Sequence, residues 1–193
     1  MLLIGHGLVG CLLAYRFHNL TIHLFDLHQR PTYNAFIRAF ELKGFKRPNA
    51  KSVLPNIMFH EKDMMNSIPL LPNSIVVCLH GCNEVNSNAI ELSNNYNASG
   101  WIVMPCCIKK DQYLGESCQV LVDDDQTRFH LLIGALSNQY NAQEIRTIDK
   151  KITNRNILIA GGVASSKESN SNNDNSEYIA AYKRNRMPKL ILS

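Results

Sequence analysis

Short apolar runs recur along this chain, and between them lie segments of helical periodicity. That alternation constrains the fold more than any other feature. The runs are residues 2–5, "LTIHLFD" (20–26), "NIMFHEKD" (56–63), "SIVVCLHGC" (74–82) and "GWIVMPCC" (100–107). After the first, "LVGCLLAYRFHN" places Val9, Leu12, Leu13 and Phe17 at helical spacing. "RPTYNAFIRAFELKGF" carries Phe36 and Phe40 on one face, with Pro31 near its start and Gly44 past its end, and "NSNAIELSNNY" gives a short third helix. Strands alternating with helices imply crossover connections and hence a parallel sheet. The unbroken triplets Ile75, Val76, Val77 and Ile102, Val103, Met104 suit central strands covered on both faces.

The pattern changes after Cys107. In "DDDQTRFHLLIGALSNQY" a cluster of aspartates caps a helix whose apolar side carries Phe129, Leu132, Ile133 and Leu136. "EIRTID" and "RNILIAGG" follow too closely for a parallel crossover, which needs about a dozen residues, so they form an antiparallel hairpin. The expected fold is α/β: a Rossmann-like, mostly parallel sheet with helices on both faces, closed by a C-terminal antiparallel hairpin. Residues 1–164 make this domain. The polar stretch "SSKESNSNNDNSE" (165–177) reads as a flexible linker, and residues 178–193, with "KRNR", as a basic tail.

A chain of 193 residues with 45% hydrophobic content is long enough for one domain with a proper core. No stretch of about 20 apolar residues exists to span a membrane. The opening lacks the basic region and small-residue cleavage site of a signal peptide. A net charge of +4 permits a polyanionic partner without requiring one. The six cysteines sit mostly in or beside apolar runs, which points to reduced thiols in the cytoplasm or a reducing organelle such as a plastid.

Chemistry begins at "LLIGHGLVG", where Gly5, Gly7 and Gly10 follow a strand and open a helix. Such glycines let the backbone turn tightly and approach a ligand, at which the helix aims its N–H groups. Asp26 stands at the end of the second strand, where a carboxylate can accept hydrogen bonds from ribose hydroxyls. NAD, FAD and S-adenosylmethionine sites can all begin this way. In "HEKDMM", Asp63 is placed to meet the exocyclic amine of an adenine and Met64 to lie against its ring. "CLHGCN" (Cys78, His80, Cys82, Asn83) and "MPCC" (Pro105, Cys106, Cys107) fall at the ends of the fourth and fifth strands and converge on one crevice. Cys78 and Cys106 also suit the role of small hydrophobes. Thiolates and imidazole are the usual ligands of zinc, but the C-x-H-x-C spacing is not that of a zinc knuckle, so zinc stands as the lesser reading and no metal ligand is assigned. His80, Cys82 and Asn83 are the candidate catalytic residues, His80 as acceptor of a proton from an attacking hydroxyl or amine.

The succession "LLIGHGLVG", "LFD", "HEKD", "CLHGCN" and "VMPCC" resembles the Rossmann-like (class I) S-adenosylmethionine-dependent methyltransferases, over roughly residues 1–162. "LHGCN" followed by "PCC" is similar to a group with an L-H-x-C stretch after the fourth strand and a double cysteine after the fifth, which includes ribose-methylating tRNA enzymes. "TIDKKITNRNILIAGG" resembles the hairpin that closes such domains. The resemblance implies S-adenosylmethionine as cofactor, contacts to it from Gly5, Gly7, Asp26 and Asp63, a pocket bordered by His80 and Cys82, direct in-line methyl transfer, and RNA as a candidate acceptor. Leu3 and Ile4 depart from it, standing where the family loop usually has an acid. The absence of an N-P-P-Y-type loop after the fourth strand disfavours DNA adenine methylation. Two other readings stand beside this one: a FAD- or NAD-binding oxidoreductase fragment, and a non-catalytic methyltransferase-like domain that binds partners.

Overall fold

A computed structural model of the chain describes residues 2–4, 7–44, 52–63, 73–82, 84–107 and 124–162. These residues all lie in one compact unit, Met1–Val163. The expected linker and basic tail lie outside the described residues, as do Gly5, Met64 and Asn83.

The elements follow in the order β1 (Leu2–Ile4), α1 (Leu8–Arg16), β2 (Ile22–Asp26), α2 (Pro31–Leu42), β3 (Ile57–Glu61), β4 (Ile75–Cys82), α3 (Glu84–Asn95), β5 (Gly100–Cys107), α4 (Asp125–Gln139), β6 (Glu144–Thr147) and β7 (Ile157–Gly161). The strands form one sheet in the order β3-β2-β1-β4-β5-β7-β6. β1 to β5 pair in parallel, whereas β7 runs antiparallel to both β5 and β6. This is the parallel sheet closed by a hairpin that the sequence pattern predicts. The chain steps outward from β1 to β3, then returns across β1 to build β4 and β5, so the switch of direction falls between β1 and β4.

Side chains alternate across the sheet and separate two cores. On one face Ile22, Leu24 and Val77 pack with Cys11 and Ala14 of α1 and Tyr33 of α2. On the other, Phe25, Val76, Cys78, Trp101, Val103 and Ile159 pack with Ala89 and Ile90 of α3 and Phe129, Ile133 and Leu136 of α4. Asp124 caps α4, its carboxylate accepting from the backbone N–H of Thr127 at 2.6 Å. The apolar side expected for α4 is the buried one.

The face of α1 differs from expectation. Val9 and Leu12 are exposed, and the helix lies on the sheet through Gly10, Cys11 and Ala14. The reason is closeness: a Cβ on Gly10 would meet Leu24 Cδ2 at 2.5 Å. Only a face of small residues lets the helix sit that near β2, and in a segment apolar at almost every position the periodicity does not single that face out.

Candidate functional site

Strand register gathers the candidate side chains at the carboxyl ends of the strands. Ile4 of β1 pairs with Phe25 and with Cys78, so Asp26 and Leu79 stand one residue further on. Glu61 pairs with Asp26 and Met104 with Leu79, which completes the row. Gly81 and Pro105 pair just beyond it. These are the carboxyl ends of parallel strands beside a switch point, where open α/β sheets bind ligands.

Gly7 is the residue before α1 and has φ +87°, a conformation open to glycine. A Cβ there would also press on Tyr33 Cδ2 at 2.8 Å. Gly10, one turn on, is buried against Leu24 and contributes by packing.

Asp26 is half-buried at the end of β2. One carboxylate oxygen lies 3.5 Å from the backbone N–H of His28 and the other 3.9 Å from Arg30 Nε. Both contacts are long, which leaves the oxygens capacity to accept from a ligand. The backbone N–H of Lys62 donates to the carbonyl of Asp26 at 3.0 Å, tying the turn after β3 to the end of β2. Exposed Asp63 follows directly from that bond.

The end of β4 is irregular. Its register with β5 shifts between Leu79 and Gly81 and again before Cys82, and exposed His80 takes a left-handed φ of 56°. Bulges and strained residues of this kind re-aim side chains at functional sites. Two neighbours hold the distortion. Asn86 of α3, almost wholly buried, donates from Nδ2 to the carbonyl of Gly81 at 2.7 Å. Cys106 of β5 donates from Sγ to the carbonyl of His80 at 3.3 Å, and its sulfur lies 3.1 Å from Cys82 Sγ. Cys78, one turn of the strand back, is fully buried, and burial pushes its thiol up to about 12. Among the described residues no group of three His, Cys, Asp or Glu side chains is placed to hold a metal ion.

The sheet thus brings Gly7, Asp26 and Asp63 to one side of the switch and His80 and Cys82 to the other, with β2 and β4 two strand spacings apart, about 10 Å. Asn86 escapes a reading of the sequence, being one asparagine in a stretch rich in them. Cys106, whose place in the sequence suits a small hydrophobe or part of a pocket loop, has polar partners in the structure. Its tie to Cys82 depends on register between strands, which spacing along the chain does not reveal.

No protein-family model matches the chain, and no curated protein matches it. Solved structures do. A mutant of the 16S rRNA (adenine(1408)-N(1))-methyltransferase from Catenulisporales acidiphilia is 13% identical, with a TM-score of 0.50 and 86% of each chain covered. The chain has that methyltransferase's fold. The 23S rRNA methyltransferase ErmE is 12% identical, with a TM-score of 0.44 over 84% of this chain and 61% of its own. An antibiotic-related methyltransferase is 13% identical, with a TM-score of 0.45 over 84% of this chain and 88% of its own. In this sheet Gly7 after β1, the acid ending β2 and the bulge ending β4 occupy adjoining positions at the strand ends. Among the described residues no helix is long and apolar enough to cross a membrane.

Proposed function

We propose that the chain is an S-adenosylmethionine-dependent methyltransferase. The observation that carries the reading is Asp26: a carboxylate whose contacts among the described residues are long, at the end of the strand beside β1 and Gly7, one strand from the switch of the sheet. The residues present fit this cofactor. Gly7 keeps the turn clear of a side chain, Asp26 has oxygens to accept from ribose hydroxyls, and Asp63 is exposed beside it to accept from an adenine amine. Gly5 and Met64 complete that half by sequence, Met64 against the ring.

When bound, the cofactor supplies a methyl group on a positively charged sulfur. The chain's own task is to hold an acceptor close and aligned and to keep water away. His80, turned outward by the bulge, takes the proton that the acceptor loses. Cys82 and Asn83 shape the pocket around it. The L-H-x-C and P-C-C stretches favour RNA as the acceptor, and the first solved structure above is named for a base of 16S rRNA.

Isothermal calorimetry with S-adenosylhomocysteine, NAD and FAD tests the reading. Binding of the sulfur nucleoside alone is the expected result, with Asp26→Ala weakening it about tenfold or more, a loss of about 1.4 kcal/mol, at unchanged melting temperature. Binding of NAD or FAD instead, or no binding of S-adenosylhomocysteine, overturns it.

A further inference from the structure

Cys82 and Cys106 are separated by 24 positions in sequence, yet their sulfurs lie 3.1 Å apart across β4 and β5. Neither is in a disulfide. The separation is shorter than an ordinary sulfur–sulfur contact and about 1 Å longer than the 2.05 Å of a disulfide bond. Neighbouring strands run about 4.8 Å apart. Cys107 is in register with Cys82, and Cys106 stands one position before it; disulfides span about 4.4–6.8 Å between α-carbons, a range that takes in such a diagonal neighbour on the adjacent strand. The strand ends are irregular here, with the register slipping on both sides of Gly81, which gives the sulfurs latitude to approach. Cys82 is exposed and reachable by solutes, whereas Cys78, a few residues away, is fully buried. Both sulfurs also address one atom, the carbonyl oxygen of His80, Cys106 from 3.3 Å and Cys82 from 3.9 Å.

We propose that Cys82 and Cys106 are a reversible thiol switch that regulates the mouth of the site, with a hydroperoxide as oxidant. The Cys82 thiol gives up its proton as its sulfur attacks an oxygen of hydrogen peroxide; the S–O bond forms, the O–O bond breaks, a sulfenic acid results, and the departing hydroxide takes that proton and leaves as water. The sulfur of Cys106 then attacks that of Cys82. The S–S bond forms, the S–OH bond breaks, and a second water carries off the hydroxyl and the Cys106 proton. Two thiols lose two electrons in all, and one peroxide gains them; a dithiol reductant reverses the change by exchange. Bond formation removes both S–H donors from the His80 carbonyl and ties the end of β4 to β5. The backbone that holds His80 at positive φ is thereby reset, and the histidine is re-aimed. This consequence for methyl transfer rests on the function proposed above; formation of the bond does not.

The test uses the full chain with one equivalent of hydrogen peroxide, then peptide mapping without reductant. A Cys82–Cys106 linked peptide, two hydrogens lighter than the pair and released by dithiothreitol, is expected, and it should be absent in Cys82→Ser. Cross-links confined to other cysteine pairs, or both thiols still open to alkylation, overturn the switch. The imidazole NMR signals of His80, assigned by their loss in His80→Gln, should move on oxidation and return on reduction. Signals that stay in place while the bond forms overturn the link to His80. S-adenosylhomocysteine binding by the reduced chain is measured separately. Its failure alongside a mapped cross-link rejects the methyltransferase reading and leaves the switch standing.

Discussion

Asn86, the third residue of α3, hydrogen-bonds from its buried amide to the carbonyl of Gly81 at the end of β4, at 2.7 Å. One side chain thus joins a helix start to the bulge beside His80. Replacing it with alanine removes that carbonyl's short donor and leaves only the Cys106 Sγ contact at 3.7 Å, at a cost of about 1–2 kcal/mol. Urea denaturation of Asn86→Ala should show this loss, and hydrogen exchange should quicken at residues 80–82. A stability equal to that of the parent protein would show that the bond is dispensable.

Two glycines separate close packing from open surface. Gly10→Ala drives a methyl into Leu24 and should destabilise by about 1–3 kcal/mol. Gly134, in the middle of α4, has nothing within 4 Å of its would-be Cβ. Gly134→Ala should instead stabilise by about 0.5–1 kcal/mol, since alanine loses less backbone freedom in a helix. Thermal unfolding of the two variants should move in opposite directions, and movement in the same direction refutes the packing account.

His23 and His60 face each other across β2 and β3, ring nitrogens 3.0 Å apart, with His60 stacked on Phe25. Burial first, then the charge of His60, holds the His23 imidazole below its ordinary 6.5. In that window the unfolded chain binds the extra proton. The stability is therefore whole above 6.5 and eroded as pH falls below it. Urea midpoints should drop as pH falls below 6.5, and less steeply in His23→Gln. Parallel curves for the two proteins would exclude His23 as the cause.

At the start of α4 the sign is reversed in origin and similar in outcome. Hydrogen bonds from Thr127, its side chain first and then its backbone N–H, hold the Asp124 carboxyl below its usual 3.8. A depressed carboxyl stabilises above its unfolded value, and the contribution is lost as pH falls through the folded one. Asp124→Ala should be less stable than the parent at neutral pH, with the gap closing below pH 3.8. A gap independent of pH would mean that the cap acts without its charge.

Much of the fold was legible because its signals are local. The runs at Ile75–Val77 and Ile102–Met104 are strand-like wherever they sit, and Asp124 caps a helix through a residue three positions away. The two strands ending the domain are too close together to be anything but a hairpin. Asp26 was legible for the same reason, as an acid closing a strand. The buried face of α1 was not, because it is chosen by the distance to Leu24 on another element.

By itself the sequence determined the order of strands and helices and the fold class, since the periods of strand and helix are properties of the local backbone. Which strands became neighbours, which face of α1 was buried, and how Asn86 and Cys106 came to hold the backbone around His80 were decided by tertiary structure alone. Those contacts join residues from different elements, and packing and register bring them together.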